Sequence, residues 1–371
     1  MRFARTCYAC ASLILSPSFG SLPVTQATAA AAVGIPLPTG TPSPSAAAST
    51  ADPLSDIIAM LRPRDCLAAG LDAGGDEWAI RFERHAGMKC NAVVTGGCDL
   101  EVEGLDGTLR LEAGDCFILP RGRPFVIRAT GRTGRGTDAA EGGTSAEEIY
   151  APVSHGGTAV YGRGGDFFMS GARFLVSGPA AGVLLDTLPP AMVVRAGSRS
   201  EVMRWTVNRI ARELRDPRPG GALLIDQLSH VLLIEVMRQH LSACASETIG
   251  WMAALADPAI ARAIEAMHDE PARAWTVEEL AARAATSRTT FAVRFRHVAG
   301  LAPMAYLTRW RMLLAADRLT RTTDPVARIA GDVGYTSESA FAHAFKREMG
   351  CSPRRFARDG TNTGRSEGGV P

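Results

Sequence analysis

Two stretches of this chain are written to one pattern. SRTTFAVRFRHVAGLAP, Ser287 to Pro303, and SESAFAHAFKREMGCSP, Ser337 to Pro353, keep Ser, Phe, Ala, Phe, Gly and Pro in register while their polar residues diverge. Phenylalanines four residues apart share one face of a helix, a serine before the run can cap its N-terminus, and a glycine followed by proline ends it. Each copy follows a shorter helical segment and a tight turn. In the first, Thr276 and Glu279 have capping-box spacing and Val277, Leu280, Ala281 and Ala284 form an apolar side. In the second, Asp324 is expected to cap, Pro325 to take the first helical position, and Ile329, Ala330 and Val333 to face inward before the turn at Gly334, Tyr335 and Thr336. The pattern is a helix-turn-helix written twice. Between the copies, the helical period continues without a breaker from Met304 for about eighteen residues, or roughly 27 Å of helix.

Most paired helices are structural, so the exposed faces decide what these do. The second helix of the first copy presents Arg288, Thr289, Thr290, Arg294 and Arg296, and that of the second presents Glu338, Ser339, His343, Lys346 and Arg347. Basic and hydroxyl side chains on a short capped helix suit a DNA major groove, the cations reaching phosphate and the hydrogen-bonding groups reaching base edges. The charge distribution agrees. The whole chain carries a net charge of only +2, yet residues 258–357 hold fifteen Lys plus Arg against ten Asp plus Glu.

At these residues the sequence resembles the AraC family of bacterial transcription regulators, over about Asp257 to Arg358. WTVEELA, SRTTFAVRFR, PMAYLTRWRM, VARIAGDVGYTSESAFAHAFKREMG and SPRRF follow in order and at the spacing of that family. The resemblance implies two helix-turn-helix units on a connecting helix, docking in successive major grooves of double-stranded DNA, with RNA polymerase as a further partner. Base contacts would fall to Thr289, Ala292 and Val293 and to Glu338, Ser339 and His343; Arg288, Thr290, Arg294 and Lys346 complete the DNA-facing set. Ala292 and Val293 can offer only apolar contact to a thymine methyl.

With 371 residues, two domains are expected. Ahead of the repeat, a short helix over DPLSDIIAMLRP from Asp52 precedes strand-like runs at WAIRF, MKCNAVVTG, CDLEVEG, GTLRLEAGDCFILP, PFVIRAT and DFFMSGARFLVSG, the signature of a β-sandwich or barrel. Residues 131–148 have no hydrophobic period and read as a long loop. From Arg199 the period turns helical, and the second of two helices places Leu224, Leu228, Val231, Leu232 and Glu235 on neighbouring turns. That stripe serves either packing on the barrel or association with a second copy.

GDCFILPRGRPF resembles the second motif of the cupin barrel, with Gly114, Pro120 and Gly122 in place, but Phe125 stands where metal-binding cupins carry histidine. Cys90 and Asn91 fall where ligands of the first motif belong, and His85 and His155 are isolated. No catalytic residue, metal or cofactor is therefore expected, since a catalytic metal needs about three converging ligands. The resemblance over about Asp52 to Ala243 is to the sensor half of an AraC subgroup. It implies a pocket for a small effector, with Trp78, Arg81, Cys90, Asn91 and Cys116 as interior candidates. A thiol sensor using Cys66, Cys90 and Cys116 is the variant of that reading, and a metal-dependent cupin enzyme with a helical appendage is the alternative.

The expected organisation is multidomain: a low-complexity extension over 1–51, a cupin-like β-barrel with flanking helices over 52–198, a helical dimerisation or linker segment over 199–256, an all-α double helix-turn-helix DNA-binding domain over 257–358, and a tail over 359–371. The extension has two arginines and a short apolar run but is broken early by Ser16, Pro17 and Ser18, so it reads as disordered chain rather than a secretory leader. The scattered cysteines suit a reducing cytoplasm, Cys7 and Cys10 having no partner pair. No other segment is apolar enough to span a membrane.

Overall fold

The computed structural model describes residues 52–75, 77–130, 143–153, 156–176, 179–186, 188–197, 200–243 and 249–358. The extension, the tail, Cys7, Cys10, Cys244, His155 and most of the expected loop at 131–148 lie outside them. Helix α1 (Pro53–Leu61) opens the described chain, capped by Asp52, which accepts from the Ser55 backbone N–H. Eleven strands follow: β1 (Pro63–Gly74), β2 (Ala79–Phe82), β3 (Met88–Thr95), β4 (Gly97–Val102), β5 (Leu109–Glu112), β6 (Cys116–Leu119), β7 (Phe125–Ala129), β8 (Thr144–Ser145), β9 (Gly157–Gly162), β10 (Phe167–Val176) and β11 (Met192–Val194). Helix α2 (Ala146–Tyr150) falls between β8 and β9, and α3 (Pro179–Leu185) between β10 and β11. The part of the expected loop that is described is therefore ordered: Thr144 and Ser145 form β8, and Ser145 caps α2.

Six strands make one sheet in the order β11-β6-β3-β10-β1-β9, and five make the other in the order β5-β4-β7-β2-β8. Alternation of side chains gives each central strand two faces with different neighbours. Leu71, Val93, Phe117, Leu119 and Met169 of the first sheet meet Ile80, Phe82, Leu100, Phe125 and Ile127 of the second in the core between the sheets. The other face of the six-stranded sheet, with Met88, Cys90, Ala92, Cys116, Ile118, Ala172 and Phe174, is covered by helices.

Those covering helices are chiefly α1, α4 (Glu201–Arg215) and α5 (Gly221–Ala243). Helix α5 buries Leu228, Leu232, Leu233, Val236 and Met237 in the core shared with the sheet, so packing on the barrel is the role its apolar stripe has in this structure. Val231, expected on that stripe, is instead 38% exposed, and Leu233 and Met237 take the buried side.

The C-terminal half is helical throughout, with α6 (Trp251–Ala256), α7 (Pro258–Asp269), α8 (Val277–Arg283), α9 (Arg288–Ala299), α10 (Pro303–Arg321), α11 (Val326–Asp332) and α12 (Glu338–Met349). Two small cores sit side by side, one around Phe291 and Phe295 and the other around Phe341 and Phe345. Helix α10 supplies Tyr306 and Leu307 to the first and Met312, Ala315, Ala316 and Leu319 to the second.

Candidate nucleic-acid interface

The first unit is α8, a turn and α9. Thr276 Oγ1 accepts from the Glu279 backbone N–H, and Glu279 Oε2 accepts from that of Thr276 at 2.8 Å, which completes the capping box. Ala285 turns the chain with φ of 54°, and Ser287 Oγ accepts from the Thr290 N–H to start α9. Phe291 and Phe295 are fully buried with ring centroids 5.5 Å apart, and Gly300 ends the helix in the left-handed region.

The second unit, α11 and α12, repeats this with one difference. Pro325 stands at the N-cap and not inside the helix, and Asp324 makes no capping bond; its carboxylate is paired with Arg318 and Arg328. The proline carbonyl takes the first intrahelical bond from Ile329, which fixes the start one residue later than proline preference alone suggests. At the turn, Gly334 has φ of 87°, and a Cβ there would come within 2.4 Å of the Ala272 carbonyl oxygen. The turn of the second unit thus rests on the loop before α8, and no side chain fits between them.

All of Arg288, Thr289, Thr290, Val293, Arg294, Glu338, Ser339, His343 and Lys346 are exposed, and Ala292 is half-buried. Their environments differ. Arg288 is paired with Glu278, Arg294 Nε lies 2.6 Å from Asp257 Oδ2, and Glu338 lies 3.6 Å from Arg354. Thr290 Oγ1 is bonded by the Ser287 hydroxyl at 2.9 Å and belongs to the cap. Thr289, Ser339, His343 and Lys346 have no side-chain partner among the described residues. Val293 is 67% exposed, an apolar side chain offered to solvent in the middle of the α9 face.

The two halves of the molecule touch through α1. Asp56 Oδ2 is 3.0 Å from His268 Nδ1 on α7, and His268 Nε2 is 3.1 Å from the Tyr306 hydroxyl on α10. The same imidazole stacks on Trp310, with centroids 3.7 Å apart and planes within 8°. Arg62, which ends α1 with φ of 44°, is paired with Asp317 of α10. A cavity of about 370 Å³ opens at this junction, lined by Ile57, Leu184, Trp251, Tyr306, Arg309 and Leu313 among others.

In the barrel, strand alternation divides the five expected interior residues. Trp78 and Asn91 lie on the interior side, Trp78 against Phe167. Cys90 and Cys116 lie on the opposite face, against the helices, because they neighbour the interior positions Asn91 and Phe117 by one residue. Arg81, between the interior residues Ile80 and Phe82, turns outward and pairs with Glu83 at 2.6 Å. Lys89 and Arg173, outside the expected pocket set, face each other across β3 and β10 on the interior side. Lys89 is one of only two lysines in the chain, a signal visible without any structure. Its ammonium sits 4.4 Å from the Phe82 ring centroid and 4.9 Å from that of Phe125. Phe125 is the residue at the cupin ligand position, so an aromatic ring and a protein ammonium occupy the place of a metal ligand; these residues do not fit a metal. Among the described residues no three His, Cys, Asp or Glu converge on a point.

Residues 52–242 match the family model described as cupin, and residues 280–359 that of the helix-turn-helix domain. Such a pairing defines a transcription regulator with a cupin domain ahead of its DNA-binding helices. The AraC-like transcription regulator of Streptomyces lividans is 40% identical over 311 residues, 84% of this chain and 99% of that one. That of Streptomyces antibioticus is 40% identical over 308 residues, 83% and 98% of the two chains. The DNA-binding domain of AdpA, solved in complex with a target DNA, is 33% identical and covers 29% of this chain and 96% of that one, with a TM-score of 0.27. On the full-length relatives and the cupin match, the chain belongs to the AraC-like transcription regulators.

Proposed function

We propose that α9 and α12 are the two reading helices of this regulator, lying in successive major grooves of one operator. The supporting observation is their common support: both pack on α10, whose 19 residues span about 28 Å, close to the ~34 Å of one DNA turn. Ser339 and His343, exposed and unpartnered, are assigned to base edges, and Lys346 to phosphate. Thr289 and Val293 give α9 a mainly apolar and hydroxyl surface suited to thymine methyl groups. Arg288, Thr290 and Glu338 are assigned to positioning within the protein as well as to DNA, and Arg294, held by Asp257, to positioning alone.

The barrel is the sensing half, and α1 carries its state to α7 and α10 through Asp56 and Arg62. An effector acts by favouring one arrangement of that contact over another. The chain works in the cytoplasm, as a binding protein without a catalytic step, and RNA polymerase is its partner at the promoter. Self-association is assigned to the outer face of α4, where Val202 is 51% and Trp205 60% exposed one turn apart.

Selection of bound sequences from a random duplex pool with the full chain tests the DNA reading. Two boxes about one helical turn apart are expected. A single box would remove one helix from the assignment, and absence of enrichment would remove both.

A further inference from the structure

One end of the barrel gathers buried nitrogen groups. Lys89 on β3 stands directly across from Arg173 on β10, and His85, in the loop before β3, lies with its ring edge-on to Phe125 at 6.4 Å. Asn91 follows Lys89 two residues along the same face of β3 and is 4% exposed. His85 Nε2, Asn91 Nδ2 and Arg173 Nε are all buried, and none has a hydrogen-bond partner among the described residues. Arg173 is the charged neighbour that acts on Lys89, and Lys89 and Arg173 are those that act on His85; no carboxylate is among them. Burial and the Arg173 charge push the Lys89 amine down to about 7, and burial and Lys89 push the His85 imidazole down to about 4.

Buried polar groups are normally paired, and a concentration of unpaired donors with like charge is costly unless something with the opposite character completes it. Nearby packing does not do so. Phe82 and Phe125 are stacked at 4.3 Å and offer the ammonium only their ring faces. The site is open to solvent at its rim: Lys89, His85 and Arg173 are half-buried, and Leu67, paired in register with Arg173, is 40% exposed.

We propose that this end of the barrel binds a small organic carboxylate, its oxygens held by Lys89 Nζ and the Arg173 guanidinium, its carbon body against Phe82, Phe125 and Leu67. The inference rests on the reading of the barrel as the sensing half and names the chemistry of what it senses. The chain meets the anion with its own cations where a metal-binding cupin would offer a metal ion.

The scarcity of lysine makes the test direct. Full-length protein labelled with 13C-lysine carries two lysine side-chain signals, and Lys346→Arg leaves that of Lys89 alone. Benzoate and acetate are the probes, with benzamide as the neutral control. A saturable shift of the Lys89 signal with a carboxylate and none with benzamide is expected. Arg173→Met should weaken benzoate binding at least about tenfold, the loss of one charge-assisted hydrogen bond. Lys89→Arg should retain binding, and its melting temperature beside that of Lys89→Met separates a lost ligand contact from a lost fold. No saturable shift with either carboxylate, an equal response to benzamide, or unchanged affinity in Arg173→Met overturns the proposal. Operator affinity of the unsubstituted full chain, with and without benzoate, tests the parent reading separately: carboxylate bound with DNA affinity unchanged would refute sensing and leave the site standing.

Discussion

Arg294 Nε donates to Asp257 Oδ2 at 2.6 Å, tying the exposed side of α9 to the residue that caps α7. Asp257 also accepts from the Ala259 and Ile260 backbone N–H groups, and its side chain is only 11% exposed. An arginine held this way is less free to reach phosphate than Lys346, which has no partner among the described residues.

The two cations should therefore separate in the salt dependence of operator binding. Each phosphate contact contributes about 0.9 to the slope of log affinity against log salt. Lys346→Ala is expected to reduce the slope by about that amount with little change in stability. Arg294→Ala should leave the slope near its starting value and cost up to about 1 kcal/mol of stability, as for a partly exposed ion pair. A slope reduced equally by both substitutions would place Arg294 on the DNA.

Base readout makes a different prediction. His343→Ala should relax sequence preference at one position of the box read by α12, by about 1–3 kcal/mol between the preferred base and the others, and leave the other box unchanged. Affinities for a panel of single-base operator variants measure this. Uniform weakening over the panel would instead make His343 a phosphate contact.

Helix α12 is legible because its stop and cap are local: Ser337, Gly350 and the two phenylalanines act within one turn of the helix they define. The N-terminal half is less so. β1, with the sequence PRDCLAAGLDAG, is poor in β-branched and aromatic residues, yet it pairs with both β10 and β9. Its strand state comes from those partners and not from propensity. Cys90 and Cys116 face the helices and not the interior, and their side is not legible for a related reason. Both faces of the six-stranded sheet are buried, so hydrophobicity along β3 does not alternate, and the sequence leaves open which residues face the interior. The contact of Asp56 with His268 joins residues 212 apart, and no local pattern encodes it.

Face assignment bears on the cysteines. Cys66, Cys90 and Cys116 all border the core between barrel and helices, and burial pushes their thiols up, Cys66 to about 11, Cys116 to about 12 and Cys90 well above its ordinary value. Since the thiolate is the reactive form, these groups are expected to resist alkylation by iodoacetamide at neutral pH in the folded protein and to react at the ordinary rate once it is denatured. Labelling followed by peptide mass analysis gives the rates. Rapid modification of any of the three in native protein would mean that the helical layer opens readily from the sheet.

His268 gives the contact between the two halves a pH dependence. Its side chain is fully buried, facing Asp56 at Nδ1, the Tyr306 hydroxyl at Nε2 and the Trp310 ring. These partners suit a neutral ring that donates from Nδ1 to the carboxylate and accepts from the tyrosine, whose phenol burial keeps protonated. Burial lowers the imidazole below its ordinary value, and the Asp56 hydrogen bond and charge offset this only in part. An imidazole released from this contact takes up a proton near pH ~6.5, whereas the docked one does so only at lower pH. The contribution of His268 is therefore complete above that value and is lost progressively as pH falls below it toward the docked value. Hydrogen exchange of α1 is the readout: protection should fall as pH is lowered below about 6.5, more steeply than in His268→Gln, which has no proton to gain. The pair Arg62 and Asp317 should hold part of the contact in both proteins. Equal protection profiles for the two proteins would show that the α1 contact does not depend on the charge of His268.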